Sequence, residues 1–210
     1  MRFKKTAGIL LLTSVLLTAC NNDDEYIGNY SDGLQQLQKI EGPTQAIGQK
    51  IEKLENSKKA PIEKISGSNI PDVQNEIQQV LDKDQQIAKE VNKEEAIVKK
   101  SKKKFNDFKN EVSHIEDEEK QKAFEKYNQT IETRYDKHED YIKGYKDVVN
   151  KEQDLFKYLQ GQSGTQEIVD QKSKALNESR KKLSNNVKAY TDAIKKSQRA
   201  QRDVQQYLNE

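Results

Sequence analysis

From Ile77 to Ile115 the chain places seam residues at intervals that alternate between three and four. The series runs Ile77, Val80, Asp84, Ile87, Val91, Glu94, Val98, Ser101, Phe105, Phe108, Val112, Ile115. This is the a/d pattern of a heptad repeat, sustained for about five heptads. A strand would alternate every second residue, and a compact globule would not hold one narrow stripe for so long. The pattern therefore predicts long helices that bury only a seam. Asp84, Glu94 and Ser101 are polar members, which weaken such a seam but fix its register.

Two further seams follow. One runs Phe124, Tyr127, Ile131, Arg134, His138, Tyr141, Tyr145, Val148, Glu152, Leu155, Leu159. The other runs Val169, Lys172, Leu176, Arg180, Leu183, Val187, Tyr190, Ile194, Ser197, Gln201, Val204, Leu208. An earlier, looser segment runs Leu34, Leu37, Glu41, Thr44, Ile47, Ile51, Leu54, and its phase passes unbroken through Gly42-Pro43. Proline inside a helix removes a hydrogen bond and bends the axis, so a kinked helix is expected there.

Composition fits narrow seams: 32% of residues are apolar and 34% charged. A disordered chain would combine low hydropathy with a large net charge and no periodicity. Here the formal net charge is only +2.

The breaks are legible. Ser66–Pro71 (SGSNIP) ends the first segment, and Gln160–Thr165 (QGQSGT) separates the third from the fourth, with Thr165 as the expected N-cap. Between the second and third no Gly or Pro marks the turn. Ser113-His114-Ile115-Glu116 fits a capping box, and the nine residues from Ile115 to Phe124 carry the apolar face to the opposite side of a straight helix. A turn near 112–117 is expected. Short connections between long helices place them antiparallel. The expected fold is all-α: an elongated, antiparallel up-and-down bundle of four helical segments, the first kinked and the other three long and coiled-coil-like.

The N-terminus carries a different signal. Arg2, Lys4 and Lys5 precede an apolar run, Ala7–Thr18 (AGILLLTSVLLT). This is the charged and apolar regions of a secretory signal, too short for a spanning helix of about 20 residues. Leu17-Thr18-Ala19-Cys20 follows, and it resembles the bacterial lipobox. The resemblance implies a diacylglyceryl group on the Cys20 thiol and cleavage before it. Two acyl chains anchor a protein stably where one does not. The expected organisation is a cleaved signal peptide over 1–19, a lipidated Cys20 with a polar tether over 20–31 (from Asn21, NNDDEYIGNYS), and a helical domain over 32–210. Cys20 is the single cysteine, so no intramolecular disulfide is available.

Removing residues 1–19 lowers Lys+Arg from 37 to 34 and leaves Asp+Glu at 35, giving a net charge of −1. The basicity of the full chain thus belongs to its leader, and charge gives no argument for nucleic acid as a partner.

Catalysis requires convergent activated groups. No phosphate loop, zinc spacing or nucleophile elbow is present, and with Cys20 acylated no thiol nucleophile remains. A di-iron bundle would need two Glu-x-x-His pairs. Glu111-Val112-Ser113-His114 is one, but Tyr135 stands three residues before His138. The expectation is a non-enzyme without metal or cofactor.

Two surface features remain. Lys99, Lys100, Lys102, Lys103 and Lys104 form a charge run, read either as a solvated face or as a contact for anionic polymer or phospholipid heads. Tyrosines crowd the third segment. Tyr127, Tyr141 and Tyr145 sit on the seam, whereas Tyr135 and Tyr158 flank it and are the candidates for stacking on a glycan.

Together the lipobox at Leu17-Thr18-Ala19-Cys20, the polar stretch after it and the Lys/Glu/Gln-rich helices with a Tyr-rich third segment resemble the YkyA-like cell-wall-binding lipoproteins of Gram-positive bacteria. That resemblance implies a helical bundle held by lipid at the extracellular face of the cell membrane, and wall binding without catalysis. The expected partners are the membrane, through the anchor, and a cell-wall polymer, peptidoglycan or teichoic acid. A surface protein recruited or spaced by exposed helix faces is the alternative.

Overall fold

The computed structural model describes residues 22–161 and 165–208, and among them there is no strand. The helices are α1 (Asn22–Glu41), α2 (Thr44–Ile65), α3 (Gln74–Phe108), α4 (Glu118–Gln160) and α5 (Gln166–Gln205). Short 3-10 turns at Ile70–Val73 and Lys109–His114 lead into and out of α3. α1 and α2 are one segment bent at Gly42-Pro43, so the architecture is four helical segments with the first kinked.

The seam of α3 is buried at every position named above, from Ile77 at 0% exposure to Ile115 at 3%, polar members included. α4 follows its seam too, with Phe124, Tyr127, Ile131, Arg134, His138, Tyr145, Val148, Glu152 and Leu155 buried. It also buries a second line at seven-residue spacing: Tyr135, Ile142, Val149 and Phe156. A helix that packs on several neighbours buries a stripe wider than two heptad positions.

The expected tether is corrected. Residues 22–31 are helical, and Ile27, Tyr30 and Ser31 are buried within the folded body. The polar composition misled because the apolar anchors here, Ile27 and Tyr30, are only two. The Tyr30 ring meets Phe108 and Phe124 edge-on at 5.2 Å each, and its hydroxyl donates to Asn128 Oδ1 at 2.7 Å.

The turn after α3 falls where expected, but its cap is a different residue. Asp117 Oδ1 accepts from the backbone N–H groups of Glu119 and Lys120, both at 2.9 Å. Ser113 instead donates to the Asn110 carbonyl. Asp23, in the first turn of α1, accepts from the N–H groups of Glu116 and Asp117 at 2.7 and 3.2 Å, so the turn is fastened to α1. At the other break, Gly67 takes φ +80°, a left-handed conformation that suits glycine after the C-terminus of α2.

The described chain divides into two compact units. The first gathers the chain up to Gln45, Ala96–Glu139 and the chain from Lys188; the second gathers Ala46–Glu95 and Asp140–Val187. In the first unit, Asn29 bonds Glu111 while Glu41 bonds Ser101, so α1 runs antiparallel to α3. Tyr30 bonds Asn128 and Glu41 bonds Arg134, so α1 runs parallel to α4. Lys126 pairs with Asp203 and His138 with Tyr190, so α4 runs antiparallel to α5. These pairings make α1 and α4 run one way and α3 and α5 the other.

The second unit has the same up-and-down logic. Lys50 pairs with Glu90 and Lys58 with Asp84, antiparallel, while Lys172 pairs with Asp154 and Arg180 with Glu152, again antiparallel. Its apolar core gathers Ile65, Val73, Ile77, Val80, Leu81 and Phe156.

Candidate functional site

In the first unit the polar seam residues form one network. Arg134, 7% exposed, meets Glu41 through two parallel bonds, Nη1 to Oε2 at 2.8 Å and Nη2 to Oε1 at 2.9 Å. Ser101 and Tyr135 hydroxyls donate to the same Glu41 carboxylate at 2.5 and 2.7 Å. Burial pushes the Glu41 carboxyl up. The Arg134 charge and the bonds from Arg134, Ser101 and Tyr135 outweigh it and hold the carboxyl down at about 2. Burial pushes the Tyr135 hydroxyl well above the ordinary tyrosine value.

A cleft beside this network is lined by Glu41, Thr44, Val98, Arg134, His138 and Tyr190, among others. It offers about 40 Å³, space for roughly three water molecules, and no room for a sugar ring or a peptide. His138 stacks on Tyr190 at 4.2 Å, and its Nδ1 lies 2.9 Å from the Tyr190 hydroxyl. His114 stacks on Tyr26 at 4.9 Å. Among the described residues no group of three or more His, Cys, Asp or Glu is arranged to hold a metal ion.

The second unit buries its own ionic cluster. Lys58 Nζ, 1% exposed, meets Asp84 at 2.7 Å, Glu152 at 2.9 Å and Glu55 at 3.2 Å. Arg180 reaches Glu152 at 3.0 Å, and Tyr145 donates to Glu55 at 2.8 Å. Three carboxylates thus face two cations. Asp84 is fully buried and its Oδ2 has no hydrogen-bond partner. Burial, reinforced by Glu152 and Glu55 and opposed by Lys58, raises the Asp84 carboxyl to about 7.

The sequence-derived surface candidates fare differently. Tyr135 is corrected: it is 1% exposed, its hydroxyl is committed to Glu41 and Ser101, and the Arg134 guanidinium lies 4.7 Å from its ring centre. No ring face is left for a glycan. Tyr158, in the second unit, is half-buried; Lys172 Nζ lies 5.5 Å from its ring centre, and its hydroxyl accepts from the Thr165 N–H. Within the lysine run, Lys102 is tied to Asp136 and Glu139 at 3.0 and 3.2 Å. Lys99, Lys100 and Lys103 are exposed and Lys104 is half-buried. Leu17, Thr18, Ala19 and Cys20 lie outside the described residues.

Residues 25–207 match the YkyA family, described as "Putative cell-wall binding lipoprotein". The chain belongs to the YkyA family. A solved structure of a conserved protein of unknown function from Staphylococcus aureus, at 1.6 Å, is similar, with a TM-score of 0.78 and 29% identity over 90% of this chain and 97% of that one. No curated protein matches.

Buried side chains form a core in each unit, and among the described residues the cleft beside Arg134 offers about 40 Å³. Among the described residues no helix is long and apolar enough to cross a membrane. The outer helix faces of both units carry many exposed charged side chains.

Sequence reading missed one such face of this YkyA-family chain. In the first unit α5 exposes Lys188, Lys195, Lys196, Arg199 and Arg202. These residues are scattered in the sequence, unlike the compact run at 99–104. Only the helical projection gathers them, and the seven-residue spacing of Lys188, Lys195 and Arg202 was the signal that could have found them.

Proposed function

We propose that this protein is a non-enzymatic lipoprotein that is anchored through acylated Cys20 at the extracellular face of the cell membrane and binds a cell-wall polymer through its outer helix faces. The observation that carries the reading is the family match across residues 25–207. The lipobox-like Leu17-Thr18-Ala19-Cys20 supplies the anchor in this reading. In this reading Asn21 alone separates the acylated cysteine from α1, which begins at Asn22. Exposed cations on the outer helix faces are of the right sign for an anionic polymer.

Two acyl chains make anchoring effectively stable, and without them no membrane affinity of comparable strength remains. Cys20→Ser is therefore expected to appear unprocessed or in the medium, whereas the parent incorporates labelled fatty acid and fractionates with membranes. Equal membrane retention and processing of the two would overturn the anchor.

A further inference from the structure

We propose that the outer face of α5 in the first unit is a docking strip for a linear phosphodiester polymer. The proposal rests on the wall-polymer reading above and names the chemistry and the residues of that contact.

The strip is built from Lys188, Lys195, Lys196, Arg199 and Arg202, all exposed. Seven residues of helix rise about 10.5 Å and nearly close two turns, so Lys188, Lys195 and Arg202 lie in a row about 21 Å long. Arg199 sits within that row, one turn beyond Lys195 and Lys196. Acidic relief on this face is slight. Asp203 is already held by Lys126 at 3.4 Å, which leaves Asp192 against five cations. In sequence the spacing begins earlier, at Lys174 and Lys181.

Such a row is a liability to a free helix. Lys195 and Arg199 are four residues apart, and Lys196–Arg199 and Arg199–Arg202 are three apart, spacings at which like charges repel. A ligand carrying regularly repeated negative charge turns that repulsion into attraction, and a row suits an extended chain better than a single small anion.

Other anionic partners fit less well. A membrane-binding helix couples its cations to exposed Phe, Trp or Leu; the large apolar residue exposed among the described residues is Ile168, which is not on this strip. Single-stranded nucleic acid is held by aromatic stacking between the cations, and no aromatic residue is exposed here. A phosphodiester polymer without bases or acyl tails asks for neither.

The exposed lysines of α3 lie on a different helix and serve as an internal control. The test compares the full chain in detergent with K188Q/K195Q/K196Q/R199Q/R202Q and with K99Q/K100Q/K103Q. Each is first checked for unchanged helical circular dichroism. The probes are poly(glycerol phosphate), cell walls intact or stripped of phosphodiester polymer by acid, and anionic phospholipid vesicles. The expected result is binding of the parent to the polymer and to intact walls, weakening steeply with salt. Stripping the walls abolishes it, and the α5 variant loses at least about tenfold in affinity while the α3 variant keeps most of it. Equal binding to stripped walls would overturn the strip while leaving wall binding standing. Failure to bind either kind of wall would overturn both. Equal loss in the two variants, or vesicles bound more tightly than polymer, would overturn the proposal in favour of diffuse charge or of a lipid surface. If the α5 variant misfolds, a K195E/R199E pair read by the same polymer titration decides in its place.

Discussion

At the scale of residues, the polar members of the seams carry the most consequence. A heptad reading identifies Glu41, Asp84, Arg134 and Glu152 as seam positions, but it does not say which of them meet. The pairings Glu41–Arg134 and Lys58–Asp84 join residues far apart in sequence, and Lys58 lay beyond the seam as read. Removing one partner of a buried ion pair strands the other charge, at a cost of about 3–5 kcal/mol. Glu41→Ala is therefore expected to lower stability by about that amount in chemical denaturation, because Arg134 would be left buried and unpaired. A loss below about 1 kcal/mol would mean that water reaches Arg134 freely.

Asp84 makes the opposite kind of contribution. Its folded carboxyl titrates near 7 against 3.8 as the ordinary value. In the folded state it therefore binds its proton more tightly than in the unfolded state. The resulting stabilisation is full below about pH 4 and is lost as pH rises through 7. The parent's melting temperature should fall between pH 5 and 8, and that of Asp84→Asn should be nearly flat over the same window. Parallel curves would show that Asp84 is ionised throughout. Tyr135 teaches a related lesson. A residue one position off a seam reads as a flank, yet α4 buries a wider stripe, and its second line at 135, 142, 149 and 156 is visible only once the neighbours of α4 are known.

At the scale of elements, the helices were legible because period and punctuation agree. The three-four spacing named the inward face of α3 at every position, and SGSNIP and QGQSGT marked two breaks. What sequence did not resolve was chemistry at ends. Ser113 and Asp117 are both acceptable caps by residue type. Asp117 takes the role because Asp23 of α1 binds the N–H groups of Glu116 and Asp117, fixing where the helix starts. Losing a side-chain cap costs about 1 kcal/mol. Asp117→Ala is expected to destabilise by that amount, while Ser113→Ala stays within about 0.5 kcal/mol; the reverse ranking in urea titrations would restore Ser113 as the cap. Gly33 shows a constraint of another type. A Cβ there would lie 2.3 Å from the Phe108 ring, so α1 passes close to α3 only because that residue has no side chain.

At the scale of the whole molecule, fold and family were readable from the N-terminal signal and the seams, whereas the docking face was not. A run such as 99–104 catches the eye in one dimension, yet the fold ties Lys102 to α4. The residues on α5 are spread over fifteen positions and meet only on a helix surface. In the proposed reading the chain works by adhesion through exposed charge, which is strong at low ionic strength and fades within a Debye length of about 10 Å at 0.1 M salt.

That dependence gives the central claim its most direct test, sedimentation of the folded protein with purified cell walls across a salt series. The account predicts that the protein pellets with walls at low ionic strength and is released progressively as salt rises. Protein that stays in the supernatant at low salt, with its helical circular dichroism intact, would contradict it.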